Sequence, residues 1–153
     1  MTHPEQLDDV RRRPALRAAA IEEGLRWETP FLMVARDTTR ATRLADVEIP
    51  ADRPVMVFVG AANRDPSRFE RPDEFDLHRP MAPHVTFGSG PHVCLGMHLA
   101  RLETRVALDA VLERLPNLRL DPAAPTPRIQ GNVFRSPSAL PVLFDGQVSF
   151  PAG

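Results

Sequence analysis

Cys94 is the sole cysteine of the chain. It lies near the end of a glycine-rich run, Phe87-Gly88-Ser89-Gly90-Pro91-His92-Val93-Cys94-Leu95-Gly96, at the start of a long helical pattern. A thiolate, not a thiol, ligates metals or attacks electrophiles, and the backbone N–H groups at a helix N-terminus favour negative charge. Gly88 and Gly90 allow positive φ and carry no Cβ, so the backbone can turn sharply and approach a flat partner closely. Gly96 removes a side chain two residues past the sulfur. The arrangement suits a bulky planar group lying across the loop with sulfur as its axial ligand; haem iron held by a cysteine thiolate is the known chemistry of that kind. Two other readings stand beside it. A lone cysteine is often a small buried hydrophobe. His92, Cys94 and His98 also form an H-x-C-x-x-x-H spacing, with His84 as a fourth zinc ligand, although structural zinc sites usually carry paired cysteines.

The elements that must hold this loop are legible from their punctuation. Residues 3–12 read as a short helix ending in Arg11-Arg12-Arg13, a solvated cationic end. Pro14 suits the first turn of a second helix running to about Trp27, with Ala18, Ile21 and Leu25 on one face. Glu23 and Arg26 share a face of that helix and can bridge. Pro30 ends it, and residues 31–36 read as a strand. Val47–Ile49 and Pro54–Val59 are expected to form a hairpin around Pro50-Ala51-Asp52-Arg53, with Asp52 tolerating a left-handed turn. Residues 62–80 are rich in proline and charge. From Leu95 to about Leu115 the stripe Leu95, Leu99, Leu102, Val106, Ala110 predicts a core helix. Short strands and turns follow Pro116.

At 153 residues, 42% of them hydrophobic, the chain is long enough for one domain with a core. A net charge of −1 argues against a general nucleic-acid binder. All 19 basic residues are arginine. One cysteine excludes an internal disulfide and fits a reducing cytoplasm. Neither a signal-peptide pattern nor a membrane-spanning apolar run is present, so a cytoplasmic protein without membrane or nucleic-acid partners is expected.

Phe87-x-x-Gly90-x-x-x-Cys94-x-Gly96 resembles the haem-binding signature of the cytochrome P-450 family, the haem-thiolate monooxygenases, of bacterial type. Glu23-x-x-Arg26 is similar to the family's second signature, and residues 62–80 to its meander, with Phe69, Pro72, Phe75, Asp76 and Arg79 in matching places. The resemblance implies a mainly α fold with small β-sheets (α+β), here the C-terminal haem-binding portion. It divides one partial domain, 1–153, into helices with the E-x-x-R motif (1–29), strands (30–60), meander (61–86), haem-cysteine loop (87–96), long helix (95–115) and C-terminal hairpins (116–153). It implies haem b as cofactor, with Cys94 as axial ligand of the iron. Phe87, Gly88 and Gly96 then shape the cofactor loop, and Arg36, His84 and His92 donate to haem propionates. Glu23, Arg26 and Arg79 form a structural network. No catalytic side chain is assigned.

The same resemblance implies reduction by a ferredoxin or flavoprotein, activation of dioxygen and insertion of one oxygen atom into a small apolar organic substrate. Residues 31–34 and the last hairpin, Phe134-Arg135-Ser136 with Leu140-Pro141-Val142, are expected to border that substrate. No A/G-G-x-x-T pattern occurs, so the family's central helix, which carries an acid and an alcohol over the iron, is not represented. A truncated segment of this kind is expected to be inactive alone. It would need a separately encoded N-terminal half, or would reflect a truncated gene or a start placed inside a longer frame. The rival expectation is a haem-binding or interaction module without oxygenase activity.

Overall fold

The computed structural model describes residues 3–80 and 82–146. Helix α1 (Pro4–Arg12) is followed by a 3₁₀ turn at Pro14–Leu16 and helix α2 (Arg17–Trp27). Proline opens both helical stretches, where its missing N–H costs nothing. Four short strands come next: β1 (Met33–Asp37), β2 (Thr42–Leu44), β3 (Val47–Ile49) and β4 (Pro54–Phe58). A single-turn helix α3 (Val59–Ala62), the meander, the glycine-rich loop and the long helix α4 (Met97–Arg114) lead to strands β5 (Arg119–Leu120), β6 (Ile129–Gln130), β7 (Ser136–Pro137) and β8 (Val142–Leu143). The architecture is mainly helical with two-stranded antiparallel sheets, as the sequence implied. The end of the expected C-terminal segment, 147–153, lies outside the described residues.

Strand pairing departs from expectation twice. β3 does not pair with β4. It pairs with β2 across the two-residue turn Ala45-Asp46, and β4 pairs with β1, so one hairpin is nested inside the other. The Pro50–Arg53 turn instead folds onto Thr38, whose carbonyl accepts from Asp52 N (2.7 Å) and whose N–H donates to Arg53 O (3.0 Å). Asp52 does adopt positive φ (56°). The expected last hairpin is also replaced. β7 returns to β6 and β8 to β5, while Phe134 bridges Phe31. Pro137 and Pro141 lack the N–H groups that a 134–142 hairpin would have needed.

The core is small and unusually polar. Its buried apolar residues are Val10, Ile21, Val59, Phe69 and Leu77, and beside them lie Arg17, Glu23, Arg26, Thr29, Asn63 and Thr86. Gln6 of α1 grips the meander with both ends of its amide, donating to Phe75 O (3.1 Å) and accepting from Leu77 N (2.7 Å).

Helix α4 corrects the reading of a core helix. None of its residues is fully buried, and the stripe Leu95, Leu99, Leu102, Val106 is 58–99% exposed. The physical reason lies in the neighbour. α2 presents Arg17 and Glu22 toward α4, and these select Asp109 (2.8 Å from Arg17 Nη1) and Arg101 (2.6 Å, Nε to Glu22 Oε1). The helix therefore docks by its charged face and turns its apolar face outward.

Candidate functional site

The approach to the glycine-rich loop is pinned one residue at a time. Val85 N donates to Asn63 Oδ1 (2.8 Å). Thr86 Oγ1 donates to Leu25 O and accepts from Asn63 Nδ2, both at 2.8 Å. Asn63 Nδ2 also donates to Thr29 Oγ1 (2.8 Å). Asn63 itself is 0% exposed. One amide thus joins the end of α2, the end of α3 and the root of the loop.

The loop then turns on Gly88 (φ 76°) and Gly90 (φ 71°), a conformation that L side chains adopt at a cost. A Cβ at Gly88 would also lie 3.3 Å from His92 O. Cys94 N donates to Phe87 O (2.7 Å), closing the loop on itself, and Cys94 O accepts from Met97 N (3.3 Å) as α4 begins. The thiol is exposed, next to fully exposed Leu95. A Cβ at Gly96 would sit 3.9 Å from Sγ, so this position leaves the sulfur clear. A free thiol on an open face, bounded by residues without Cβ, fits a large planar group with a single sulfur donor. A buried cysteine is excluded. Among the described residues no three His, Cys, Asp or Glu side chains converge on one point, so the zinc spacing of His84, His92, Cys94 and His98 is not assembled.

Beneath the loop, Glu23, Arg26 and Arg79 come together. All five N–H bonds of Arg26 are used: Nε and Nη2 donate to Glu23 (2.8 Å each), Nη1 to Asn63 O and Pro72 O (2.9 Å each), and Nη2 again to Glu74 O (3.1 Å). Glu23 Oε1 also accepts from Arg79 Nε (3.1 Å) and Asp76 N (3.0 Å). Burial pushes the Glu23 carboxyl up, yet the bonds from Arg26, Asp76 N and Arg79 together hold it below its ordinary value.

A family model described as cytochrome P-450 matches residues 2–140. The chain belongs to the cytochrome P-450 family. It is 47% identical over 120 residues to the biotin biosynthesis cytochrome P-450 of Bacillus subtilis, a match covering 78% of this chain and 30% of that protein. It is 40% identical over 144 residues to the steroid C26-monooxygenase of Mycolicibacterium smegmatis, covering 94% and 36%. The structure of P450BioI in complex with hexadec-9Z-enoic acid ligated acyl carrier protein superposes with a TM-score of 0.89 at 44% identity, covering 95% of this chain and 37% of that one. The chain spans about a third of the length of these cytochrome P-450 relatives.

The remaining residues singled out from the P-450 resemblance are placed as follows. His92 is exposed in the loop. Arg36 is exposed on β1, opposite Val55, and donates to Ala35 O (2.8 Å). His84 has other company: its Nε2 lies 3.1 Å from Glu22 Oε2, and its Nδ1 accepts from Thr86 N (3.4 Å). Both ring nitrogens are engaged within the protein. Asn63, Thr86, Glu22 and Arg101 were not singled out from the sequence. Polar residues on a loop or a helix face carry no local mark of the partner they will meet.

His84 and Glu22 give the site an acid limit. Burial holds the His84 imidazole below its ordinary 6.5, against the pull of Glu22. The bond from Arg101 holds Glu22 below 4.5, against its burial. Both folded values are depressed, so the unfolded chain binds more protons as the pH falls, and stability falls with it. The His84 contribution is full above 6.5 and lost as the pH drops through its folded value; those of Glu22 and Glu23 are full above 4.5 and lost below it. The urea midpoint of the wild type should therefore begin to fall near pH 6.5. That of His84→Gln should stay level until the carboxylate range, and identical profiles would contradict the assignment.

Proposed function

We propose that Cys94 is the axial thiolate ligand of a haem b and that the chain is the haem-ligating segment of a bacterial monooxygenase. The observation that carries this reading is the exposed Cys94 thiol on a loop pinned at Val85, Thr86 and Phe87, within the family's signature spacing. When bound, the haem supplies reductive activation of dioxygen and insertion of one oxygen atom into an organic substrate. The chain's own residues present the sulfur, keep the loop backbone close to a flat group through Gly88, Gly90 and Gly96, and offer His92 and Arg36 as hydrogen-bond donors toward haem carboxylates.

Reducing equivalents are proposed to come from a ferredoxin or flavoprotein in the cytoplasm. The substrate class is a small apolar organic molecule. The relatives' names differ in what they act on, one bearing a biotin-pathway name and one a steroid name. The outward apolar stripe of α4 supports a chain that works only with further polypeptide packed against it, and that is inactive as an oxygenase alone. No helix among the described residues is long and apolar enough to cross a membrane.

The test is the carbon monoxide difference spectrum of the reduced, haem-loaded chain beside a Cys94→Ser variant. A red-shifted Soret band that is present in the parent and lost in the variant is expected. An unshifted band in the parent, or the same band in both proteins, overturns the reading.

A further inference from the structure

We propose that Arg101 is a positioning residue for the Cys94 loop, acting as half of a clasp whose other half is the Phe87 ring. Phe87 and Arg101 lie seven residues before and after Cys94. The Arg101 guanidinium stacks over the Phe87 ring, 4.6 Å from its centroid. It is aimed there by Glu22, which accepts from Nε (2.6 Å) and Nη2 (2.8 Å) side by side. Such a fork fixes the guanidinium plane, and a planar cation over an aromatic face gains both stacking and electrostatic attraction.

The consequence for the sulfur runs through the main chain. The residue whose ring is clasped is the one whose carbonyl accepts from Cys94 N at 2.7 Å. Glu22 on α2 thus holds Arg101, Arg101 holds the Phe87 ring, and the Phe87 carbonyl holds the Cys94 backbone. His84 occupies the other side of Glu22 Oε2 (3.1 Å), so the carboxylate is anchored from two elements. Without the clasp, the side-chain bonds described for the stretch before α4 lie at its root, where Val85 and Thr86 bind Asn63 and Thr86 binds Leu25 O, and α4 stays tied to α2 through Arg17 and Asp109. The glycines that allow the loop's turns also leave it free to open. The role matters for function through the reading of Cys94 as the ligand, on which it rests.

Amide hydrogen exchange of the 153-residue chain tests it without haem, so its outcome is separate from that of the spectrum above. The comparison is wild type, Arg101→Ala, Arg101→Lys and Phe87→Leu, read at the Cys94 amide and, as a reference for global opening, at the α2 amides of residues 21–25. The Cys94 amide should exchange about tenfold faster in all three variants while the α2 amides keep their rates, since local opening reports only local contacts. Lysine should fail to rescue, because a point charge has neither the fork nor the flat face. Phe87→Leu leaves the Glu22–Arg101 pair intact, and combining it with Arg101→Ala should add nothing beyond the larger single effect. The proposal is overturned if the Cys94 amide is unprotected in the wild type, if its rate is unchanged in the variants, if it accelerates only in step with α2, or if lysine restores it.

Discussion

Arg26→Ala should lower the unfolding free energy by about 3–5 kcal/mol, the usual result of removing one partner of a buried ion pair. Domain stabilities are about 5–15 kcal/mol in total, so the loss leaves little margin. Arg26 is 2% exposed and Glu23 6%, and alanine would strand the Glu23 carboxylate with Arg79 as its only remaining cation. It would also orphan the carbonyls of Asn63 and Pro72, which have no other donor among the side-chain bonds described, while Glu74 O would keep its bond from Arg79 Nη2 (3.0 Å). Arg26→Lys should fare little better, since three donors on one nitrogen cannot reach two carboxylate oxygens and three carbonyls in different directions. Urea unfolding followed by circular dichroism gives the answer, with exposed Arg40→Ala as a control expected to change stability by no more than about 0.5 kcal/mol. A midpoint for Arg26→Ala indistinguishable from that of the control would show that the network does not hold the core.

Asn63→Leu should cost about 3 kcal/mol although the side chains are of similar size. It leaves Val85 N–H without its acceptor and removes the donor from both Thr29 and Thr86, and each unsatisfied buried group costs about 1–3 kcal/mol. Asn63→Asp keeps the acceptor for Val85 but sets a carboxylate oxygen against two hydroxyl oxygens that already donate elsewhere, so it should be no milder. Because Arg26 Nη1 binds the Asn63 carbonyl, the double variant Arg26→Ala/Asn63→Leu should lose less than the sum of the singles. Urea midpoints of the three proteins measure this directly. Strict additivity would mean that the two sites stabilise the fold independently.

The parts of this chain that were legible in its sequence are those fixed by local chemistry. Pro14 marked the opening of the helical stretch that leads into α2, glycines marked the turns before Cys94, and Asp52 was recognised as able to take a left-handed conformation, which it does. The nested hairpins were not legible. The turn that closes β2 on β3 uses Ala45 at φ 50°, where asparagine or glycine would have announced it, and which strand pairs with which is a non-local choice. Asn63 sits in an ordinary run of small and polar residues, and its importance comes from three hydrogen-bonded neighbours 22–34 positions away in the chain. Periodicity correctly grouped Leu99, Leu102 and Val106 on one side of α4, although Leu95 precedes the helix and Ala110 is half-buried. It could not tell what that side would face, because periodicity describes a helix and burial describes a pair of surfaces.

The charged docking face of α4 and its bare apolar stripe give the chain a particular behaviour in salt. Added sodium chloride screens partly exposed pairs such as Arg101–Glu22 and Arg17–Asp109, and so weakens the grip of α4 on α2. Sulfate or phosphate raises the free energy of wetted leucine and valine, and so favours covering the stripe by another surface, including a second copy of itself. Buffer composition therefore acts on the two sides of one helix with opposite sign, and low ionic strength with weakly salting-out anions is the condition that keeps α4 seated and the chain apart from its neighbours.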